Sequence, residues 1–361
     1  MSKYLIYICL FPIKTPNLVG GMERRMLRTI NEISRSSNKI KVITNAPNIE
    51  FLKKICNSEI YFQYTLIESL NKYNLLYNLC KVLIKYKRNY IHIMNTTLSS
   101  FIILNISKLL HYKIIISVVD YPTVQKRIGY FKIILTYYCL FFAYKVDWLY
   151  SYYNVFWKNN LILKKSSFTK SSFTDYEKFN SNFQEKNKLI LFSGRFVSLK
   201  QPLFFLESIN NIKAFIRENN YKVILIGDGE LKFKIIQYIK IHSLEDIVEI
   251  ENTNEPSMYF KKSKIFVSLQ KYENYPSQSL LEAIASCNYV IATNVGDTER
   301  LLNKSNSTLI DNSINSLSTS IMNAILNYEN MKEQLVELKS NVMKLHNLEN
   351  SADYFNQLYF S

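Results

Sequence analysis

The chain has 361 residues, 48% hydrophobic and 20% charged, which excludes a disordered protein and suits two domains of about 150–200 residues each. Its net charge of +16 is uneven: residues 1–185 hold 26 Lys and Arg against 10 Asp and Glu, whereas residues 186–361 hold 19 of each. Five widely spaced cysteines with no CxxC pair argue against a disulfide framework or structural zinc and fit a reducing cytosol, and the four histidines show no metal-ligand spacing, so no metal is expected.

In chain order, the run YLIYICLF after Lys3 predicts a buried strand. No small-residue cleavage site follows it, so it is not read as a signal peptide. Gly20-Gly21 then open the amphipathic pattern GMERRMLRTINEISRS, and the strands IKVITNA, YIHIM and KIIISVV follow. The uncharged run from Ile133 to Tyr144 is shorter than the ~20 residues that cross a bilayer, and it predicts a core or surface-lying helix. From Asn159 to Lys188 the chain is polar and weakly patterned, as a linker would be. Beyond it the strands KLILFSG, KVILIGD, IVEIEN, KIFVSL and YVIAT alternate with helical patterns such as PLFFLESINNIKAFIREN. Near-continuous apolar strands alternating with helices predict parallel sheets covered on both faces. The expected architecture is α/β, with two doubly wound Rossmann-like domains and a site in the cleft at the carboxyl ends of the strands. The expected boundaries are 1–170 and 186–345, with 346–361 crossing back to the first domain.

Of only seven glycines, six (Gly20, Gly21, Gly194, Gly227, Gly229 and Gly296) fall at carboxyl ends of predicted strands. A tight turn explains any one of them. Together they favour a cleft in which backbone N–H groups at helix N-termini face phosphate. The run GRFVSLK places Arg195 and Lys200 just past a strand and ahead of the helix opened by Pro202. A guanidinium fork and an ammonium point charge there suit phosphate oxygens. There is no GxGxxG after the first strand, no P-loop and no Asp-x-Asp, so cationic side chains rather than a metal must offset a diphosphate. Finally, KYENYPSQSLLEAIASCNYVIATNV sets Glu273 and Glu282 around a Pro276-Ser277 turn and the start of an apolar helix. Their plainest reading is a surface loop acid and a helix charge favoured by the dipole.

Taken in order, GGMER, SGRFVSLKQP, LIGDGE, YENYPSQSLLEAIASCNYVIAT and NVGD resemble the retaining nucleotide-sugar glycosyltransferases of glycosyltransferase family 4, which have the GT-B fold of two such domains facing across a cleft. The resemblance is dense from Leu189 to Leu302 and thin before that. It implies that Arg195 and Lys200, beside Gly194, hold the donor diphosphate and that Gly20-Gly21 face it from the other domain. It implies that Glu282 accepts hydrogen bonds from the donor ribose. Glu273 or Asn274, with Tyr275-Pro276-Ser277, would contact the transferred sugar, and Leu280 completes the donor-binding set. Eight residues separate Glu273 from Glu282 where the family has seven, so strict spacing lands on Asn274. The family's glycine after the LLEA helix is Cys287 here, its proline is Tyr289, and its histidine near the fourth strand's end is Val119, next to Asp120. Asp120 and His92 are the acceptor- or sugar-side positions, with a packed core histidine the equal alternative for His92.

The resemblance implies transfer of a sugar from a nucleoside diphosphate to an acceptor hydroxyl with retention, without cofactor and without an enzymic nucleophile. The leaving diphosphate would take the acceptor proton. Alternatives are a nucleotide-sugar epimerase or phosphorylase on the same fold, a non-catalytic partner subunit, and, from the charge alone, a nucleic-acid binder that lacks any recognised module. The basic half also carries an aromatic stretch from Lys126 to Lys158, with Arg127, Lys132, Lys145, Trp148 and Trp157. Interfacial aromatics and cations suit anionic lipid. The expected setting is peripheral, on the cytoplasmic face of the plasma membrane, with a glycan or lipid-linked acceptor of bacterial surface polysaccharide (capsule, O-antigen or lipopolysaccharide).

Overall fold

The computed structural model describes residues 4–11, 21–37, 39–68, 71–86, 89–169, 172–183, 186–253, 255–275, 277–302 and 307–360. The chain divides into two units, Met1–Ser172 with Leu348–Ser361 and Phe173–Asn347. In the first unit the apolar runs form β1 (Leu5–Cys9), β2 (Ile40–Thr44), β3 (Gln63–Leu66), β4 (Tyr90–Met94), β5 (Lys113–Val118), β6 (Lys145–Trp148) and β7 (Ser166–Phe168). They pair in parallel in the order β3-β2-β1-β4-β5-β6-β7. Successive side chains leave opposite faces of a strand. Leu5, Tyr7 and Cys9 accordingly join one apolar cluster with Met26, Leu27 and Phe355, and Ile6 and Ile8 join another with Leu104 and Leu140. Both faces are covered, so β1 is buried throughout and reads as an unbroken apolar run.

The second unit repeats the scheme with β8 (Asn187–Ser193), β9 (Lys222–Ile226), β10 (Val248–Glu251), β11 (Ser263–Ser268), β12 (Tyr289–Thr293) and β13 (Ser307–Ile310), ordered β10-β9-β8-β11-β12-β13. Each sheet grows outward in both directions from its first strand. The winding therefore reverses between β1 and β4 and between β8 and β11, and ligands of such sheets bind outside the carboxyl ends at that switch point.

Sequence pattern misses β3, β6, β7 and β13. Three of these are sheet edges, where one row of backbone groups is unpaired and the apolar signal weakens, and β6 carries a buried Asp147 in place of an apolar residue. The described residues of the stretch read as a linker are structured. It holds β7 and the short helices Asn160–Leu163 and Tyr176–Phe179, and Phe179 is buried edge-on against Phe260, with ring centroids 5.5 Å apart.

The helix Leu348–Phe360 returns to the first unit and packs on the helix Gly21–Ser36. It buries Phe355 and Tyr359, and sets Ser351 Oγ 3.0 Å from Thr29 Oγ1. Burying one such aromatic contributes about 1.5–3 kcal/mol. Under it runs a polar chain. Asp147 accepts hydrogen bonds from Ser117 Oγ (2.7 Å), Thr169 Oγ1 (2.8 Å) and the Tyr354 hydroxyl. Burial pushes the Asp147 carboxyl up, and these donors pull it back. Ser117 Oγ lies 2.8 Å from His92 Nε2, and His92 Nδ1 lies 2.8 Å from the Tyr359 hydroxyl. Because Ser117 donates to Asp147, His92 must donate from Nε2 and accept at Nδ1. Burial pushes this imidazole down to about 3, so it is neutral. His92 therefore takes the packed alternative, and its role is to tie the returning helix to the sheet.

Both tryptophans, expected at a lipid interface, are core residues. Trp148 stacks on Tyr153 at 4.8 Å and donates to Ser166 Oγ (2.9 Å), and Trp157 donates to the Thr123 carbonyl (2.9 Å). With their N–H groups satisfied internally, neither has a polar tip left for water.

Candidate functional site

Two loops flank the switch point of the second unit, one after β8 and one after β11. In the first, the Gly194 N–H bonds to the Ile226 carbonyl (3.0 Å) and the Phe196 N–H to the Asp228 carbonyl (2.8 Å), which ties the loop to the end of β9. Gly227 makes this approach possible, since its φ is +155° and a Cβ there would collide with the Gly194 carbonyl. The chain passes through a 3-10 turn at Ser198–Lys200 and then Gln201, at φ +53°, into the helix Pro202–Asn211. A left-handed φ on a non-glycine residue costs about 1–2 kcal/mol and marks a place where geometry has been imposed. Pro202 stands in the helix's first turn, where its fixed φ suits the helix.

Lys200 is half-buried, with its aliphatic stem lying along the face of Gly194 that a side chain would occupy. Burial first, and the Arg195 charge second, pull its ammonium down to about 8. Arg195 itself is exposed. Among the described residues no carboxylate pairs with either cation. The Gln201 amide nitrogen is buried and likewise finds no acceptor among the described residues. Buried donors and cations are ordinarily paired, so this loop is short of an anion.

The second loop is stapled to the first by Lys271, whose N–H bonds to the Leu199 carbonyl (3.2 Å) and whose ammonium bonds to Ser198 Oγ (2.8 Å). It is a third cation that sequence reasoning passed over, although it follows a strand just as Arg195 does. Next, the buried Glu273 carboxylate accepts the N–H groups of Tyr275 (2.7 Å) and Asp297 (3.1 Å). It rests on Gly296, at φ +58°, where a Cβ would collide with the carboxylate. Asn274 turns inward, accepting from Ser268 Oγ (3.1 Å) and donating to the Ser268 carbonyl (3.2 Å). The two residues expected at the transferred sugar thus both shape this loop from inside. Tyr275 is buried beneath Arg300, whose guanidinium lies 4.5 Å from the ring centroid.

Ser277 stands at the N-cap position of the helix Gln278–Ala285 without a side-chain capping bond, and its Oγ lies 3.2 Å from Ser279 Oγ. Leu280 is fully buried on that helix's inner face and holds it to the core. Glu282, half-buried one turn after Gln278, accepts from the Gln278 amide (3.3 Å). Gly20 and Pro276 lie outside the described residues. Gly21 and Asp120 belong to the first unit. Gly21 begins the helix Gly21–Ser36 in open space. Asp120 follows β5, its N–H bonded to Asn95 Oδ1 (3.1 Å) and its carboxylate 3.2 Å from the Lys132 ammonium. The structure therefore gathers Gly194, Arg195, Lys200, Lys271 and the loop leading to Glu282 on one sheet edge of the second unit.

A model of the family described as "Glycosyl transferases group 1" matches residues 173–341, which is most of this second unit. The chain is 25% identical over 178 residues to the amylovoran biosynthesis glycosyltransferase AmsD of Erwinia amylovora, covering 49% of this chain and 47% of AmsD. It is 29% identical over 107 residues to the Campylobacter jejuni GalNAc-alpha-(1->4)-GalNAc-alpha-(1->3)-diNAcBac-PP-undecaprenol alpha-1,4-N-acetyl-D-galactosaminyltransferase, covering 29% of this chain and 28% of that enzyme. The chain thus matches half or less of the length of these curated relatives. Among solved structures, it superposes with a TM-score of 0.78 at 11% identity on Anabaena HepE in complex with UDP and glucose, covering 99% of both chains. The fold is the GT-B fold.

Proposed function

We propose that the chain is a retaining glycosyltransferase that moves a sugar from a nucleoside-diphosphate sugar to an acceptor hydroxyl. The observation that carries this reading is the half-buried Lys200 beside Arg195, without a carboxylate partner among the described residues, on the carboxyl edge of a doubly wound sheet. A donor diphosphate supplies the missing anion. As the sugar leaves, negative charge grows on that diphosphate. Arg195, Lys200, the Gln201 amide and the N-terminus of the Pro202–Asn211 helix lie ready to stabilise it, so these donors act more strongly as the reaction proceeds. The leaving diphosphate takes the acceptor proton, and the cationic side chains fill the role of a divalent metal. Glu282 accepts from the donor ribose. Glu273 and Asn274 hold the loop on which Ser277 meets the sugar, with Tyr275 packed beneath it.

The relatives support the wider setting. AmsD is named for amylovoran biosynthesis, the Campylobacter enzyme for a PP-undecaprenol-linked glycan, and HepE was solved in complex with UDP and glucose. We accordingly assign a lipid-linked acceptor in bacterial surface-polysaccharide assembly at the cytoplasmic face of the membrane, with UDP-sugars first among the donors. The test is a thermal shift with a panel of nucleotide sugars. The cognate donor at 100 times its Kd should add about 2.7 kcal/mol of stability. The same donor should hydrolyse slowly without acceptor, and NMR of the transfer product should show the donor's anomeric configuration kept. If no nucleoside diphosphate or its sugar stabilises the protein, the reading fails.

A further inference from the structure

The loop that carries Arg195 and Lys200 is held in two halves by different neighbours. Its first half, residues 194–196, is bonded to the end of β9, and Phe196 is buried over Gly229, where a Cβ would collide with the Phe196 backbone. Its second half is the 3-10 turn Ser198–Lys200, which has no side-chain cap and runs straight into the left-handed Gln201. Among the described residues, the hydrogen bonds that tie this turn to another strand's loop all come from one residue. Lys271 gives its N–H to the Leu199 carbonyl (3.2 Å) and its ammonium to Ser198 Oγ (2.8 Å).

Lys271 is itself anchored on both sides. Before it, Gln270 gives its N–H to Thr293 Oγ1 (2.9 Å) and accepts that hydroxyl's proton at its carbonyl (3.0 Å), and both residues are buried. After it, the Glu273 carboxylate is gripped by the N–H groups of Tyr275 and Asp297. An exposed lysine ordinarily wanders among many rotamers. This one is exposed, yet it rises from a segment pinned to the end of β12 and finishes on a hydroxyl of the turn. Among the described residues no carboxylate lies within ion-pair distance of Lys271 to draw it elsewhere. A relay therefore runs from Thr293 through Gln270 and Lys271 to Ser198 and Leu199, and the next residue is Lys200.

We propose that Lys271 and Ser198 form a latch that positions the cationic turn for catalysis. Both are positioning residues: they act through Lys200 and Gln201, which follow the bonded residues directly, and not by touching the donor. This rests on the reading of the loop as the diphosphate site. Charge grows on the diphosphate as the sugar leaves, and donors already in place stabilise it without first having to move. The latch also joins the loop after β8 to the loop after β11, so the cations and the loop held by Glu273 keep a fixed spacing along the donor.

The experiment compares the full-length wild type with Lys271→Ala, Ser198→Ala and the double variant. Each is assayed for turnover of UDP-glucose, UDP-galactose and UDP-N-acetylgalactosamine, and kcat and KM are taken with whichever the wild type uses fastest. Each single variant should lower kcat by about tenfold, since a small displacement of a positioned group suffices for that. Donor KM should stay within about twofold, which separates a lost position from lost binding. The melting temperature should not move, because both side chains are exposed. The double variant should be no slower than the worse single one, because all three lack the same bond. Ser198→Thr keeps the hydroxyl and should keep about half or more of the wild-type kcat. Ser198→Ala at the wild-type rate overturns the latch. Losses that multiply in the double variant overturn it too, since Lys271 would then act by its own charge on the donor. Arg195→Ala, measured alongside, tells the two readings apart. If it loses rate while both latch variants keep theirs, the latch alone falls, and if it keeps full rate, the diphosphate reading falls and the latch with it.

Discussion

Arg195→Ala and Lys200→Ala are each expected to lower kcat for sugar transfer by about 100-fold or more while the fold stays intact, as loss of a preorganised donor does. The structure separates this loss from misfolding. Arg195 is exposed, and Lys200 is a cation whose burial works against its charge. Removing either should leave the melting temperature unchanged or raise it. Lys200 also predicts the pH profile. Its folded-state value, about 8, lies below the ordinary lysine value, so the free enzyme loses this cation as pH rises through 8. Affinity for the anionic donor should fall above that pH and recover below it. Lys200→Arg cannot lose its proton in this range, so the basic limb of kcat/KM should move upward whatever the loss in absolute rate. Full activity in both alanine variants, measured as product formed per enzyme, would remove the diphosphate assignment.

The second large effect is expected at Gly296. Alanine there meets a left-handed φ and the Glu273 carboxylate at once. The backbone term alone costs about 1–2 kcal/mol. Displacing Glu273 also orphans the N–H groups of Tyr275 and Asp297, at about 1–3 kcal/mol for a buried group left unpaired. Gly296→Ala should therefore destabilise by about 2–5 kcal/mol and lower kcat/KM by about 100-fold, although no atom of Gly296 is assigned to substrate. Glu273→Ala should cost a similar amount by itself. The double variant should be better than the sum of the two, since the collision disappears with the carboxylate. Strict additivity in urea unfolding of the four proteins would show that the two residues do not act on each other. Asn274→Ala, which leaves only Ser268 without its partner, should be milder in activity.

The sequence carried the winding of both sheets because parallel strands buried on two faces write themselves as unbroken apolar runs. It carried Arg195, Lys200 and Gly194 because a scarce glycine and two cations past a strand have few other reasons to sit together. It did not carry the inward turn of Asn274 or the grip of Glu273 on Asp297. The first depends on how the loop folds back on Ser268 at the end of its own strand, and the second on the loop after β12, brought close by strand adjacency, which spacing along the chain does not encode. For the same reason Trp148 and Trp157 misled. Composition says that an indole favours an interface, and only the fold shows its N–H already bonded to Ser166 or Thr123.

The returning helix Leu348–Phe360 gives the two units different histories. Phe173–Asn347 is one unbroken stretch, whereas the other unit needs residues from both ends of the chain. On a ribosome, the second unit can close its core while the first still waits with Met26, Leu27 and Tyr7 uncovered on the side that Phe355 and Tyr359 will fill. The unit that starts first finishes last. During that interval one apolar face of its sheet stands uncovered.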